Sequence, residues 1–216
     1  MLHLDGNIYE EQNNTGNRPL CSLKERIYMN PKNKIIAKNV FQIFKTQPKV
    51  FKYGNDDNTK TVDIVICDNS PYDGVSSYST IGLYNTNIGL SSNDKPIRTE
   101  LLGACDMQIE EFENIISTAA FEIMDRQCAY PGFVIDNIVS MYIGNSDMKH
   151  LLLTYPFLWD NTDSMGFDDF TLAFLMLIPI SEREKEYCNE NGLDALETIF
   201  EEYQIDVFDI YRKSVL

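Results

Sequence analysis

"GVSSYSTIGL", residues 74–83, sets three serines, a threonine and a tyrosine among glycines and aliphatic residues. The stretch is either a nucleophile loop or one strand of a sheet, and that choice decides the fold. A hydrolase elbow needs G-x-S-x-G, because closely spaced glycines let a strand turn sharply into a helix and expose the hydroxyl. Here Gly74 and Gly82 stand too far apart, and no helical pattern follows. The polar residues instead interleave with Val75, Tyr78, Ile81 and Leu83, as in a half-polar strand. The reading is a strand.

Its neighbours extend the sheet. Upstream, "KVFKYGNDDNTKTVDIVICD" alternates on both sides of a polar turn, which predicts a β-hairpin with Val62, Ile64 and Ile66 facing one way. Downstream, "RTELLGACD" reads as a strand ending at an acidic turn. "NIVSMYI" and "HLLLTYPF" read as two more, and "FTLAFLMLIP" as a central strand buried on both faces and ended by Pro179.

Helices punctuate these runs. Ile36, Val40, Ile43 and Phe44 share one face of a helix over about residues 33–45. In "EEFENIISTAAFEIMDR", Phe112, Ile115, Ile116, Ala119, Ala120, Ile123 and Met124 keep the 3-4 spacing of an amphipathic helix. "SERE", 181–184, fits a capping box, with Ser181 starting a helix and Glu184 reaching back to it. A further helix carrying Leu193, Leu196, Ile199, Phe200 and Tyr203 follows Gly192, and "IDVFDIYRKSV" closes the chain as a short alternating segment. Strands and helices come in runs, which predicts an α+β fold with a mainly antiparallel mixed sheet packed against helices. The expected organisation is an irregular arm over 1–32 and a single domain over 33–216.

Composition bounds the function. The 216 residues carry 18 Lys plus Arg against 33 Asp plus Glu, a net charge of −15. Such a field repels nucleic acid and anionic membranes and speeds encounter with a basic protein. The longest apolar run, Leu172 to Ile180, falls short of the roughly 20 residues a transmembrane helix needs. Met1 to Gln12 has no secretory pattern, and five cysteines without a C-x-x-C pair fit free thiols, so a cytoplasmic protein is expected.

Catalytic and cofactor patterns are missing. A serine triad would need His3 or His150 as its base, and His150, heading an apolar strand, reads as a structural histidine. No H-E-x-x-H, no G-x-x-x-x-G-K-[ST] and no G-x-G-x-x-G occurs, and "DNTDSMGFDD" lacks the ligand order of a calcium loop. The expectation is a non-catalytic protein with no cofactor and no metal. A hydrolase built on Ser76, Ser77 or Ser79 with His150 ranks last, and its test is whether hydroxyl and imidazole come within about 3 Å.

"FLMLIPISEREKEYCNENGLDALETIF" resembles the Suppressor of fused domain, in which a strand runs into a glutamate-bearing helix and an Asn-Gly precedes the next. "IDVFDIYRKSV" is similar to that family's closing segment, and "VSSYSTIGL" and "TELLGACD" look like strands of its bacterial version. The resemblance spans about residues 34–216, and the asparagine-rich arm before it departs from the family. It implies a binding protein without catalytic residues. The bacterial relatives imply an immunity protein bound to a co-encoded toxin, often a nuclease. The animal relatives imply an adaptor that clamps an extended peptide. The partner expected is therefore a basic cognate toxin, and the candidate contacts are Asp56 and Asp57 in the hairpin turn and Glu110, Glu111 and Glu113 at a helix start. As solvated turn residues and dipole-matched charges, these five also have plain structural roles.

Overall fold

The computed structural model describes residues 30 to 57 and 59 to 216. The expected arm therefore lies almost wholly outside the described residues. Helix α1, Pro31–Phe44, opens two residues earlier than its periodicity predicts, because Asn30 caps it by accepting from the Lys32 N–H at 3.0 Å and Pro31 occupies the first turn. Ile36, Val40, Ile43 and Phe44 are buried, as their spacing requires.

A single sheet collects the strands. β1 (Pro48–Gly54) and β2 (Thr61–Asp68) form the hairpin, and β3 (Val75–Ile81) pairs antiparallel with β2. β4 (Ser91–Ser92) is a short side strand on β5 (Lys95–Asp106). β6 (Val134–Ile135), β7 (Met148–Thr154), β8 (Met165–Gly166) and β9 (Thr171–Ser181) follow. The order is β1-β2-β3-β5-β9-β7-β6, and among the described residues β5 with β9 is the one parallel pair among antiparallel ones. Helix α2 (Phe112–Arg126) lies between β5 and β6 in sequence, and α3 (Glu182–Asn191) and α4 (Leu193–Glu202) follow β9. The mixed, mainly antiparallel α+β architecture is as expected.

Helices cover both sheet faces. On one, Ile64, Leu101, Leu151 and Leu177 pack against Phe112, Ile115 and Ile116 of α2. On the other, Val65, Leu102, Leu152, Met176 and Ile178 pack with α1 and with Leu196 and Phe200 of α4. β9 feeds both layers, which explains why its sequence is continuously apolar. Gly103 sets how closely α2 approaches, since a Cβ there would stand 2.8 Å from the Phe112 ring.

β3 is buried along its whole length, more completely than a half-polar strand would be. Its hydroxyls are satisfied internally. Ser76 donates to Asp68 at 2.8 Å, Ser77 donates to the Ser70 carbonyl at 2.7 Å and accepts from the Trp159 indole at 2.9 Å, and Ser79 donates to the Thr80 carbonyl at 3.0 Å. The opening stretch is thus a central strand whose serines hold the layers together.

Three local readings need correction. Pro179 does not end β9. Pairing with β5 stops at Met176, so Pro179 faces β7 alone and its missing N–H disrupts no second ladder. "NIVSMYI" is not a strand: Asn137 takes a positive φ of 60°, and a 3₁₀ turn over Val139–Met141 brings Val139 and Ile143 into the core. The closing segment is a series of turns, because Asp206 and Asp209 each accept from the N–H two residues on, at 2.9 and 2.7 Å.

Candidate partner-binding surfaces

The strand order separates the hydroxyls from the imidazole. β3 and β7 are three positions apart in the sheet, which at ~4.8 Å per strand is about 14 Å. Ser76, Ser77 and Ser79 therefore cannot use His150 as a base. His150 has no solvent exposure, and its Nδ1 accepts from the Asn137 N–H at 3.0 Å. The ring proton then sits on Nε2, 3.1 Å from Glu182. Burial and the nearby Lys185 hold its pKa below the ordinary value, so the ring is a neutral structural link between β7 and α3. Burial also pushes the thiols of Cys67 and Cys105 up, to about 11 and about 12, which makes them inert. Among the described residues, no group of three or more His, Cys, Asp or Glu could hold a metal ion, and no helix is long and apolar enough to cross a membrane.

The five candidate acidic residues fall in two places. Asp56 and Asp57 are exposed in the β1–β2 turn, where Asp57 accepts from the Thr59 N–H at 3.0 Å and the Thr59 hydroxyl at 2.7 Å. These bonds lower its pKa. Glu110 and Glu111 are exposed but precede α2, and only Glu113 lies in its first turn. An ion pair from Lys60 to Asp125 fixes the hairpin turn at the far end of α2. That helix has 15 residues, or about 22 Å, so the two groups sit at opposite ends of one ridge. Glu122 lies between them, paired with Arg126 at 3.1 Å.

A second surface lies on the opposite side of the sheet. After β7, Tyr155, Pro156 and Phe157 swing out over α4, and the Thr154 hydroxyl is tied to Glu197. Between this loop and α4 runs a groove of about 470 Å³, with Ile178 and Phe200 inside it, Ile205 and Val207 along one wall, and Glu197 and Glu201 on the helix side. Tyr155 and Phe157 are 67% and 57% exposed, far more than large aromatic residues ordinarily are. Reading "HLLLTYPF" as one strand conceals this loop, because the strand stops at Thr154. Only the run Tyr-Pro-Phe, where proline breaks a strand beside two aromatics, could have marked it.

One buried ion pair holds the groove wall. Arg212 meets Glu184 through two parallel bonds of 2.7 and 2.8 Å and donates to the Pro179 carbonyl at 3.0 Å. Glu184 also accepts from the Ser181 N–H at 2.9 Å, completing the capping box, and from the Val215 N–H at 3.2 Å. The guanidinium lies 5.3 Å from the Phe200 ring centre. The segment after α4, which supplies Ile205 and Val207, is thereby pinned to α3.

Residues 58–213 match the family model described as Suppressor of fused protein (SUFU). The chain is 38% identical over 187 residues to Immunity protein YqcF of Bacillus subtilis (strain 168), covering 85% of this chain and 97% of that protein. A SUFU homolog from Neisseria gonorrhoeae has a similar structure, with a TM-score of 0.65, 18% identity, and coverage of 85% of this chain and 96% of that one. Drosophila Suppressor of Fused matches with a TM-score of 0.58 at 13% identity, over 83% of this chain and 50% of that one. The Sufu–Fu complex matches with a TM-score of 0.59 at 12% identity, over 84% and 91%. At these structural identities the likeness concerns the fold.

Proposed function

Since the chain belongs to the Suppressor of fused protein family, we propose that it is an immunity protein, an antitoxin that neutralises a co-encoded toxin by binding it. The observation that carries this reading is the 38% identity to Immunity protein YqcF over 85% of this chain and 97% of that protein. The protein acts by occupying its partner's working cleft, with no chemistry of its own, in the cytoplasm where the toxin would otherwise do damage.

A net charge of −15 supports a basic partner. Toxins that cut nucleic acid present basic clefts to the phosphate backbone, and an acidic protein is steered toward such a cleft. The ridge from Asp56 and Asp57 to Glu110, Glu111 and Glu113 is assigned to this steering. Rim charges of this kind act on the association rate more than on the lifetime of a complex.

The test is co-expression. The product of the adjacent reading frame should arrest growth alone and lose its toxicity beside this protein, and the purified pair should associate more slowly as salt rises. Continued arrest, or association indifferent to salt, would remove the reading. A second reading, an adaptor clamping an extended peptide, draws on the groove beside Tyr155 and Phe157. A protection footprint confined to that groove and satisfied by a short peptide would favour it over the capture of a folded toxin.

A further inference from the structure

We infer that the groove between the Tyr155–Phe157 loop and α4 takes an apolar side chain of the partner, presented on a segment rich in lysine or arginine. The inference rests on the reading of the chain as a partner-binding protein and specifies where and what it binds. Three features of the groove converge on it.

The floor is buried and apolar while its lip is aromatic and exposed. Ile178 and Phe200 are buried, whereas Tyr155 and Phe157 stand mostly in solvent. Exposed aromatic residues beside a cavity of about 470 Å³ match the anchor-and-pocket pattern in which a few large side chains carry most of the binding energy. The charge around the groove has one sign. No lysine or arginine occurs between Leu151 and Glu182, and the stretch from Glu186 to Tyr211 holds eight carboxylates and no cation. Glu197 and Glu201 face the groove itself. Arg212 lies behind Phe200 and is neutralised by Glu184, so it offers nothing to a ligand. An acidic apolar segment would be repelled here, and a basic segment without an apolar anchor would leave the half-buried Ile205 and Val207 and the aromatic lip uncovered. The walls are also braced, by the tie from Thr154 to Glu197 on one side and the Arg212 pin on the other. The groove is thus formed before a partner arrives, which lowers the ordering cost of binding.

On the α2 ridge the carboxylates Glu110 and Glu111 are exposed at one end, and Lys60 and Arg126 pair with Asp125 and Glu122 at the other. In this proposal the two surfaces divide the work, with the ridge steering and the groove gripping.

Random 12-residue peptides displayed on phage and selected on the whole protein provide the probe. Enriched sequences should place a Phe, Leu or Trp beside Lys or Arg. Their synthetic versions, followed by fluorescence anisotropy, should lose at least tenfold in affinity with Phe157→Ala and several-fold with Glu201→Lys, and change less than twofold with the pair Glu110→Lys and Glu111→Lys. Enrichment of acidic or purely polar peptides, absence of enrichment, or binding unchanged by Phe157→Ala and Glu201→Lys would overturn the assignment. So would sedimentation showing wild-type dimers that Phe157→Ala dissolves, because the occupant would then be a second copy. If the wild type rescues cells from the neighbouring toxin and the Phe157→Ala, Glu201→Lys double variant rescues equally well, the groove assignment fails and the immunity reading survives. If the wild type itself does not rescue, the immunity reading fails and the peptide measurement still judges the groove.

Discussion

Glu184 and Glu100 are both fully buried, and each latches a segment of chain to the body of the protein. Glu184 does so as a charge, gripped by the Arg212 guanidinium, and holds the segment that walls the groove. Glu100, on β5, is held by neutral donors: the Thr80 hydroxyl at 2.5 Å and the N–H groups of Gly82 and Tyr84 at 2.7 and 3.2 Å. It fixes the turn that carries Tyr84, whose hydroxyl reaches Asn33 at the start of α1. Burial pushes the Glu100 pKa up to about 7, although Thr80 and the turn amides pull it down. A buried carboxylate can share its site with a cation as an ion pair, and it drifts toward neutrality where only dipoles surround it.

Removing the cation breaks the contrast most severely. Arg212→Ala leaves Glu184 buried beside Ser181 and Val215 amides alone, which should cost about 3–5 kcal/mol in urea denaturation. It should also weaken peptide binding at the groove, since Ile205 and Val207 lose their anchor. Replacing both partners, Glu184→Leu with Arg212→Met, should cost less than the single change, because no orphaned charge remains. A single change below about 1 kcal/mol would show that water reaches Glu184.

Next in size is the effect of proton uptake at Glu100. Between the ordinary carboxyl pKa of 4.5 and about 7, the folded protein holds a proton there that the unfolded chain releases. Stability therefore falls as pH rises through that window, by roughly 3 kcal/mol in all. Glu100→Gln should flatten this fall and give the more stable protein at pH 8. His150 contributes the opposite slope, because burial and Lys185 depress its pKa and the unfolded chain protonates first below about 6.5. That slope is present in both proteins and cancels in their difference. Parallel stability curves for wild type and Glu100→Gln from pH 5 to 8 would mean that Glu100 is ionised throughout.

The two latches were unequally legible in the sequence. "SERE" announces itself, because a capping box is a contact between residues three apart, and local spacing fixes it. Its cation lies 28 residues further on, beyond any periodic signal, and is placed only when the turns of 203–216 fold back. Glu100 gives no sign at all. In "RTELLGACD" it reads as an ordinary strand glutamate, and it is dry only because β5 is central and the turn at 82–84 aims its amides inward. The same limit applies at the surface. The 3-4 spacing revealed α2, and acidic residues at its start were easy to nominate, but nothing local showed that the hairpin turn meets its other end through Lys60. The groove was less visible still, since it joins a strand end to a helix and a tail distant in sequence. "NIVSMYI" failed for a related reason: apolar residues can face a core from a turn as well as from a strand.

The smallest effect isolates environment from distance. Lys49 meets Asp68 at 2.7 Å, the same separation as one arm of the Arg212–Glu184 pair, but on the β1–β2 edge, where the two side chains are 51% and 32% exposed. Water screens this pair and solvates either partner left alone, so the desolvation that makes Arg212 indispensable does not arise. Lys49→Ala should therefore change stability by less than about 1 kcal/mol. Whatever remains should largely vanish near 1 M salt, where the screening length shrinks to about 3 Å, whereas the Arg212→Ala deficit should persist at that salt because its ions are out of reach of the solvent. Equal salt sensitivity of the two variants would mean that the Glu184 site is wet and that geometry, with no help from burial, sets the strength of both pairs.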